Sequence, residues 1–559
     1  MQNEKMKICK YHNCEKPIWE DDEFCIFHSE DIEKKKSEFR VEFNKELSEQ
    51  YASSSDAINF EGFVFPDKMR FHDVNFEKPL SFFNAKFHGP LIIIRGKFHK
   101  SVNFQLVKFY KGIYFSECIF KNIVNFIDVN FAEETDFDSV TFEGDTHFNK
   151  SIFNKEINFK DVTFKNKTVF INSTFKKASI FDNVNFMGNE TFFTKTVFEK
   201  EANFSEAEFT GHTRFVSVKF FERANFHGSE FSGEANFSIS KFQQFADFGE
   251  VVFRENKMNN EINQATFKGS EFLKNVSFNN AQFLIETNFH GSKFHKNAEF
   301  KEAEFSKKTD FRTAEFNNEI IFEGTKFSKV YFHEATFSKT ARFKDAVFSG
   351  EVILDRATFS GQTGFDKTKI IDINKLSMID TYFNNVTHLI DIIKENKNKF
   401  KRPDKTRILS KNIKIILGEK ATAMYPIAAR DIKDDRFLMR FKERHCFLFW
   451  LWWLFADCGR GFLRWALWSI LFAVLFAFIY HNIFYLESPD YFHAIYIDND
   501  YPGFSFIYYS VVTFTTLGFG DIIPKSGWLQ FWVMLEVILG YIMLGGLISI
   551  FANMLARRS

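Results

Sequence analysis

A short glycine-containing stretch near the C-terminus has the residue types needed to bind a dehydrated cation through its backbone. It reads Thr515-Thr516-Leu517-Gly518-Phe519-Gly520-Asp521. A cation that leaves water needs a stack of oxygen ligands without a fixed negative charge that would trap it, and backbone carbonyls supply such oxygens. Successive carbonyls point into one axis only if the backbone visits conformations closed to most residues, which glycine at alternate positions permits. We therefore expect the carbonyls of this stretch to bind a cation, with the Thr516 hydroxyl at the inner mouth.

The segments on either side of this stretch would hold it at membrane depth. Residues 504–514 form an apolar run of 11 residues, which is too short to cross a bilayer of roughly 30 Å and suits a re-entrant pore helix at about 504–515. Residues 463–485 and 529–555 are each long and apolar enough to span. Irregular backbone inside a bilayer is tolerated only where protein or a wet cavity surrounds it, and a loop between these segments meets that condition.

The stretch resembles the T-x-G-Y-G-D selectivity filter of potassium channels, with Phe519 where tyrosine is usual and Leu517 where valine is common. The resemblance implies a filter over 516–521 that conducts K⁺. Because such filters are built from four loops and this chain supplies one, we expect a homotetramer. The expected ion-binding residues are Thr516, Leu517, Gly518, Phe519 and Gly520. The expected supporting residues are Thr515, Asp521 and Glu536.

The second apolar span contains residues that a pore could use for gating and permeation. By the same resemblance, Gly540 and then Gly545 are expected to let the inner helix bend, although close helix packing is an equal alternative for glycine. Ser549 and Asn553 follow Gly545 at four-residue steps and share a face that could line an inner vestibule. Glu536 is an ionisable residue inside the span. A neutral carboxyl hydrogen-bonded behind the filter and a charged carboxyl near the ion path are equally open.

Charges at the ends of the spans predict the orientation of the chain. Basic residues cluster on one side, which the positive-inside rule assigns to the cytoplasm; they are Arg436, Arg440, Lys442, Arg444, Arg460, Arg464, Arg557 and Arg558. Both termini are then cytoplasmic, in a plasma membrane. The loop 481–502 contains acidic residues and no Lys or Arg. It would enrich cations at the outer mouth, or it is a solvated loop.

A phenylalanine repeat occupies more than half of the chain. From 267 to 327 phenylalanine recurs at steps that alternate between five and six residues, a period of 11, and the same beat runs over 60–186 and 193–253. Breaks fall near 187–188 and 254–260. An 11-residue apolar repeat could indicate a right-handed coiled coil. However, the apolar partner of each Phe lies two residues away, which is the period of a strand, and the many Asn, Gly and Thr residues weaken a helix.

The repeat predicts a β-solenoid of short strands, in which each coil buries its phenylalanines against the coils above and below. It resembles the pentapeptide-repeat family, as in Ala207-Glu208-Phe209, where a small residue precedes the Phe by two positions. The resemblance implies a right-handed, four-sided β-helix with an aromatic residue or Leu at the centre of each face. The double repeat of 11 departs from strict fives and predicts coils of about 22 residues, about fourteen of them over 57–370.

Four potential zinc ligands lie near the N-terminus. They are Cys9, Cys14, Cys25 and His28, with the spacing C-x4-C-x10-C-x2-H. Three thiolates and one imidazole complete a tetrahedral structural zinc site. His12 is an alternative ligand, and a set of free cytosolic thiols is the alternative to a metal site. We expect a zinc finger over 1–30 that caps the first coil together with a charged helix and linker over 31–56.

The segment 371–446 is predicted to be an amphipathic and basic linker. An apolar stripe favours a helix that closes the last coil; its residues are Ile379, Phe383, Val386, Ile390 and Ile393. Nine basic residues follow, which could bind anionic lipid headgroups or form a solvated linker; they are Lys394, Lys397, Lys399, Lys401, Arg402, Lys405, Arg407, Lys411 and Lys414. In the pore module over 447–559, the Trp-rich segment 447–457 is expected to lie along the inner leaflet.

These features predict a homotetrameric potassium channel with a cytosolic N-terminal solenoid that regulates it or binds an unidentified protein or ligand. The chain has 72 basic and 72 acidic residues, interleaved along the repeat, so we do not expect nucleic-acid binding. No catalytic constellation is evident, and an enzyme is not expected. A weakly selective cation channel and a membrane-tethered scaffold with a vestigial pore are the alternatives. The repeat and the compact pore favour a bacterial source.

Overall fold

A computed structural model divides the chain into two compact units, Met1–Tyr425 and Pro426–Ser559. The described residues are 7–54, 56–256, 263–371, 375–378, 381–387, 445, 447, 449–450, 453–454, 462–486, 492–494, 502–525 and 527–556. The basic stretch 394–414 lies outside them.

The first unit contains a β-solenoid of about fourteen coils, which confirms the prediction from the repeat. Each coil has four short parallel strands, and equivalent strands of successive coils pair into four ladders, A to D in chain order. Their first strands are Ile58–Asn59, Val64–Phe65, Met69–His72 and Asn75–Phe76. Their last strands are Leu376–Ser377 in A, Tyr382–Thr387 in B and C, and Lys369–Ile370 in D. Longer strands such as Glu304–Asp310 continue round a corner and join D to A.

The coil length is constant except at the breaks. Most paired residues are 22 apart. The breaks predicted from the repeat are insertions, because Thr168 pairs with Thr191, 23 residues on, and Ala235 pairs with Ala265, 30 residues on. A one-residue deletion, which the sequence analysis did not note, follows before Lys308. Each of these three changes falls at the corner between ladder D and ladder A.

The interior of the solenoid is a set of phenylalanine stacks. The rings of Phe204 and Phe226 are 4.9 Å apart and 3° from parallel, and those of Phe215 and Phe237 are 4.9 Å apart and 1° from parallel. All four side chains are fully buried, so each stabilises the fold by about 1.5–3 kcal/mol. This core explains why 81 of the 559 residues are phenylalanine.

Tight four-residue turns form the corners from ladder A to B and from C to D. The third residue of each turn has a positive φ, as in type II turns, and these residues recur every eleven positions: Asp73, Asn84, Arg95 and Leu106 have φ of 53°, 57°, 52° and 63°. The turn at Leu106 is closed by a hydrogen bond from Val107 N to Phe104 O of 3.2 Å. Left-handed backbone costs a non-glycine residue about 1–2 kcal/mol, so strand pairing on both sides must hold each turn.

The N-terminal residues cover the open edge of the first coil, as expected from the sequence. Helix α1 (Ile32–Ala52) places Phe43 against Phe65, with ring centroids 5.5 Å apart. The carbonyl of Phe27 accepts a hydrogen bond of 2.7 Å from Val64 N. An edge strand with unpaired backbone groups invites aggregation, and these contacts protect it.

The predicted amphipathic helix after residue 370 is wrong. The solenoid continues through strands Leu376–Ser377 and Tyr382–Thr387, and the ring of Phe383 stacks on Phe359 at 4.6 Å and 12°. Phe383 extends the phenylalanine column and its backbone extends the ladder, so pairing with the preceding coil overrides the helical spacing of the stripe. Three residues of that stripe, Ile379, Ile390 and Ile393, lie outside the described residues.

Three helices dominate the described part of the second unit. They are α2 (Phe462–Leu486), α3 (Pro502–Phe514) and α4 (Gly527–Ala556), each within two residues of the bounds expected for the first span, the pore helix and the second span. Helices α2 and α4 contain the apolar stretches Leu463–Ile483 and Gly527–Ala552, which are long enough to cross a membrane. Strand Ile522–Pro524 pairs antiparallel with Phe492–Ala494. In the Trp-rich segment, the described residues 447, 449–450 and 453–454 are helical.

Candidate functional site

The loop after α3 carries the predicted cation ligands, and its backbone alternates as the argument from glycine requires. Gly518 and Gly520 have positive φ of 47° and 75°. Thr516 also has a positive φ, 62°, which is rare for a β-branched residue. Leu517 and Phe519, which lie between them, have ordinary negative φ. Alternation of left- and right-handed backbone turns consecutive carbonyls toward the same side, which is the arrangement that a stack of oxygen ligands needs.

The side chains of this loop have little contact with their own chain. Leu517 and Phe519 are 65% and 66% exposed. A Cβ added to Gly518 or Gly520 would meet no atom within 4 Å. Exposed large apolar side chains mark a surface that something else covers, so one chain provides only part of the site.

Both ends of the loop are anchored. At the start, Thr515 Oγ1 donates a hydrogen bond of 2.7 Å to Val511 O in α3. At the end, Asp521 forms a hydrogen bond with the phenol of Tyr508, also in α3, before the chain enters strand Ile522–Pro524. The predicted supporting residues Thr515 and Asp521 therefore lie where they can hold the loop against α3.

Glu536 lies at the junction of the three helices. Its side chain is fully buried. Tyr480 in α2 donates to its Oε2 at 2.5 Å, and its Oε1 lies within hydrogen-bond distance of Ser510 Oγ in α3. Of the two placements that the sequence left open, this is the hydrogen-bonded one, against the helix that leads into the loop.

The glycines of α4 differ in their surroundings. A Cβ on Gly540 would lie 2.1 Å from the Phe514 carbonyl oxygen, and a Cβ on Gly546 would lie 2.2 Å from the ring of Trp465. A Cβ on Gly545 would meet no atom within 4 Å. Gly540 and Gly546 thus permit close packing of helices, which was the alternative to bending for Gly540. Bending at Gly540 or Gly545 stays a prediction.

The predicted vestibule residues and the outer loop are only partly described. Ser549 is exposed on α4. Asn553 belongs to the same helix, but its side chain lies outside the described residues. The acidic residues of the outer loop, Glu487, Asp490, Asp498 and Asp500, also lie outside them. Their roles stay predictions.

The four predicted zinc ligands come together near the N-terminus. Their ligand atoms all lie within 4.8 Å of one another. The Sγ atoms of Cys14 and Cys25 are 3.8 Å apart, and Cys9 Sγ lies 3.6 Å from His28 Nδ1. A tetrahedral ion with Zn–S bonds of about 2.3 Å and a Zn–N bond of about 2.1 Å holds its ligands about 3.6–3.8 Å apart, so the cluster fits zinc. The exposed His12 is not part of the cluster.

The surroundings of the cluster also suit a metal. His28 Nε2 lies 3.0 Å from Glu61 O, in the first coil, and the imidazole stacks on Tyr11 at 4.0 Å. Metal-binding histidines commonly donate their other N–H to such a carbonyl. Burial, together with the neighbouring Cys14 thiol, raises the pKa of the Cys25 thiol. Thiolates therefore need a cation here to balance their charge, and zinc would supply it.

Sequence reasoning missed the partners of Glu536 and the left-handed backbone of Thr516. The partners had a signal, because Tyr480 and Ser510 are hydroxyl side chains in otherwise apolar helices, where polar groups seek each other. No residue type marks Thr516, because its conformation depends on the alternation of the whole loop.

Comparison with protein families agrees with this division of the chain. Pentapeptide repeats (9 copies) match residues 104–152, 115–163, 193–240, 261–304 and 322–369. The ion channel family matches residues 468–557, which contain α3, the loop and almost all of α4. The chain therefore combines pentapeptide repeats with a C-terminal ion channel domain, as the two resemblances implied. Comparison with curated proteins and with solved structures finds no significant match.

Proposed function

We propose that this chain is one subunit of a homotetrameric potassium-selective channel, with its solenoid as a cytosolic regulatory or scaffolding domain for an unidentified partner. The observation that carries the proposal is the alternating backbone at Thr516, Gly518 and Gly520, directly after a helix of 13 residues. Uncharged carbonyls in that arrangement can replace the hydration shell of K⁺ without trapping the ion. The C-terminal end of α3 leads into the loop, and the negative end of a helix dipole favours a cation there.

Four copies would complete the site. Each loop supplies a quarter of a ring, and neighbouring subunits would cover the exposed Leu517 and Phe519. On the basic flanks we place both termini on the cytoplasmic side of a bacterial plasma membrane. Native mass spectrometry should then find four times the chain mass of 65.9 kDa.

The reversal potential of purified, reconstituted protein under opposed K⁺ and Na⁺ gradients tests selectivity. A value near the K⁺ equilibrium potential is expected, and a value near zero would favour a weakly selective cation channel. Gly518→Ala and Gly527→Ala are matched variants, because an added Cβ has free space at both positions but only Gly518 has a positive φ. Loss of selective current in the first variant alone is expected. Unchanged current in Gly518→Ala would contradict the filter, and a silent wild type that binds a partner would favour a scaffold.

We also propose that Cys9, Cys14, Cys25 and His28 bind a structural Zn²⁺ that fastens the N-terminal cap to the first coil. The ligand spacing and the contact of His28 with Glu61 O support this. Metal analysis should find one zinc per chain, lost in Cys25→Ser and retained in the matched variant His12→Ala. Removing zinc with a chelator should expose the N-terminal residues to limited proteolysis. Zinc-free wild type with an equally resistant N-terminus would contradict the proposal.

A further inference from the structure

Two close oxygen contacts at Ser510 determine where the protons lie around Glu536. Ser510 Oγ is 2.7 Å from Ala473 O in α2 and within hydrogen-bond distance of Glu536 Oε1. Oxygens at these separations are held by a proton between them. A serine hydroxyl carries one proton, and a carbonyl oxygen carries none. If the serine proton lies toward Ala473, the proton of the second contact must come from Glu536.

The rest of the environment agrees with a protonated carboxyl. Tyr480 donates to the other oxygen of Glu536. Tyr480 and Tyr509 are the titratable side chains that face the carboxyl from α2 and α3. Among the described residues, no Lys, Arg or His side chain forms an ion pair with Glu536, whose polar contacts are Ser510 and Tyr480. A fully buried carboxylate without a counter-ion is costly, whereas a protonated carboxyl with both oxygens hydrogen-bonded is not.

We propose that Glu536 is a proton-bearing positioning residue that fastens α3 to both membrane spans through uncharged hydrogen bonds. The carboxyl donates to Ser510, and Ser510 donates to Ala473 O, so α4, α3 and α2 are joined in one chain of hydrogen bonds. One helical turn further along both helices, Gly540 meets the carbonyl of Phe514. The filter loop begins directly after Phe514, so these two contacts set its position. The positioning role rests on the proposed channel function, whereas the protonation does not.

Infrared difference spectroscopy of the purified full-length protein in lipid tests the protonation without any need for current. The comparison of wild type with Glu536→Gln should show the carbonyl stretch of a protonated carboxyl that only the wild type has. The band should be present at neutral pH and persist at about pH 8, where exposed carboxylates are ionised in both proteins and cancel. Absence of the band at neutral pH would overturn the proposal.

Current measurements on assembled protein test the positioning role. Glu536→Gln keeps a donor and an acceptor and should retain the wild-type reversal potential. Glu536→Ala and Ser510→Ala break the chain of hydrogen bonds and should move the reversal potential toward zero or abolish the current. Ser469→Ala is the control, since its hydroxyl bonds only within α2, to Trp465 O at 3.1 Å.

Two results would refute the positioning role. Glu536→Asp could conduct while Glu536→Gln does not, which would show that the negative charge matters. Alternatively, Glu536→Ala could keep wild-type selectivity, which would show that the contact does not position the loop. A silent wild type would count against the channel function, and the infrared band would still decide the protonation.

Discussion

Replacing Gly540 with alanine tests how closely α4 must approach the end of α3. The added Cβ would lie 2.1 Å from the carbonyl oxygen of Phe514, whereas real Cβ atoms essentially never come within 3.0 Å of such an atom. The clash is with backbone and cannot be relieved by rotating a side chain. Helix α4 or the end of α3 must therefore move by about 1 Å, and the filter loop begins at that end.

Helix propensity and steric overlap predict opposite signs for this substitution. Alanine stabilises a helix interior by about 1 kcal/mol relative to glycine. Overpacking costs about 1–3 kcal/mol, so we expect a net destabilisation of up to about 2 kcal/mol in each subunit. Because the strain falls on the start of the filter loop, K⁺ conductance should fall more than stability does.

Gly545→Ala is the matched control, because it makes the same chemical change where no atom lies within 4 Å. The assay is K⁺ flux into vesicles that contain the reconstituted protein, together with thermal unfolding of the assembled protein. Gly540→Ala should lose flux, and Gly545→Ala should keep the wild-type fold and gain the small benefit of alanine in a helix. The steric reasoning fails if Gly540→Ala conducts as the wild type does, or if the two variants are equally damaged.

Two further predictions concern the solenoid. Phe215→Ala should lower the free energy of unfolding by about 3–5 kcal/mol, because the ring is fully buried, whereas Phe221→Ala, at a side chain 39% exposed, should cost much less in the same urea titration; similar losses would contradict the stacked core. Burial raises the pKa of Asp310, but hydrogen bonds from Arg312 outweigh it and leave the pKa below its ordinary value of 3.8. Stability from Asp310 is thus present above pH 3.8 and is lost as the pH falls through the lower folded value, so Asp310→Asn should flatten the pH dependence of thermal unfolding below about pH 4. An unchanged pH dependence in that variant would contradict the assignment.

The solenoid could be predicted from the sequence because its information is local and repeated. Each Phe must be buried, and an apolar partner two residues away fits a strand and not a helix. The failure came where the repeat weakens. The spacing from Phe383 to Val386 fits a helix as well as a strand that rounds a short corner. Only pairing with the preceding coil, where Phe383 meets Phe359, decides between them, and a sequence pattern does not contain that contact.

The same distinction separates the two parts of the candidate site. The filter loop could be located from adjacent residues, since Gly518 and Gly520 do have the positive φ that the chemistry requires. The surroundings of Glu536 could not, because Ser510 and Tyr480 are 26 and 56 residues away along the chain. Their meeting depends on the packing of three apolar helices, and apolar surfaces alone do not fix which faces meet.

The length changes of the solenoid show which part of each coil is rigid. Equivalent positions of ladders A and B are six residues apart at both ends of the rod, from Ile58 to Val64 and from Leu376 to Tyr382. The insertions and the deletion fall instead at the corner from D to A, and the last coil shifts register between B and C, after Phe359. A turn closed by its own hydrogen bond and a left-handed residue cannot accept another residue without losing that bond, whereas an open corner only has to bridge two strands.

The rigid unit of the fold is therefore one pair of strands with the turn between them, and two such units make a coil. This accounts for the period of 11 in the sequence, which is half of the 22-residue coil. It also explains how the segment after Arg254 can be inserted without disturbing the core, because Phe253 still stacks on Phe283 at 4.9 Å across the break. Additional surface can thus be built at the open corners, while the turns keep the phenylalanine columns in register.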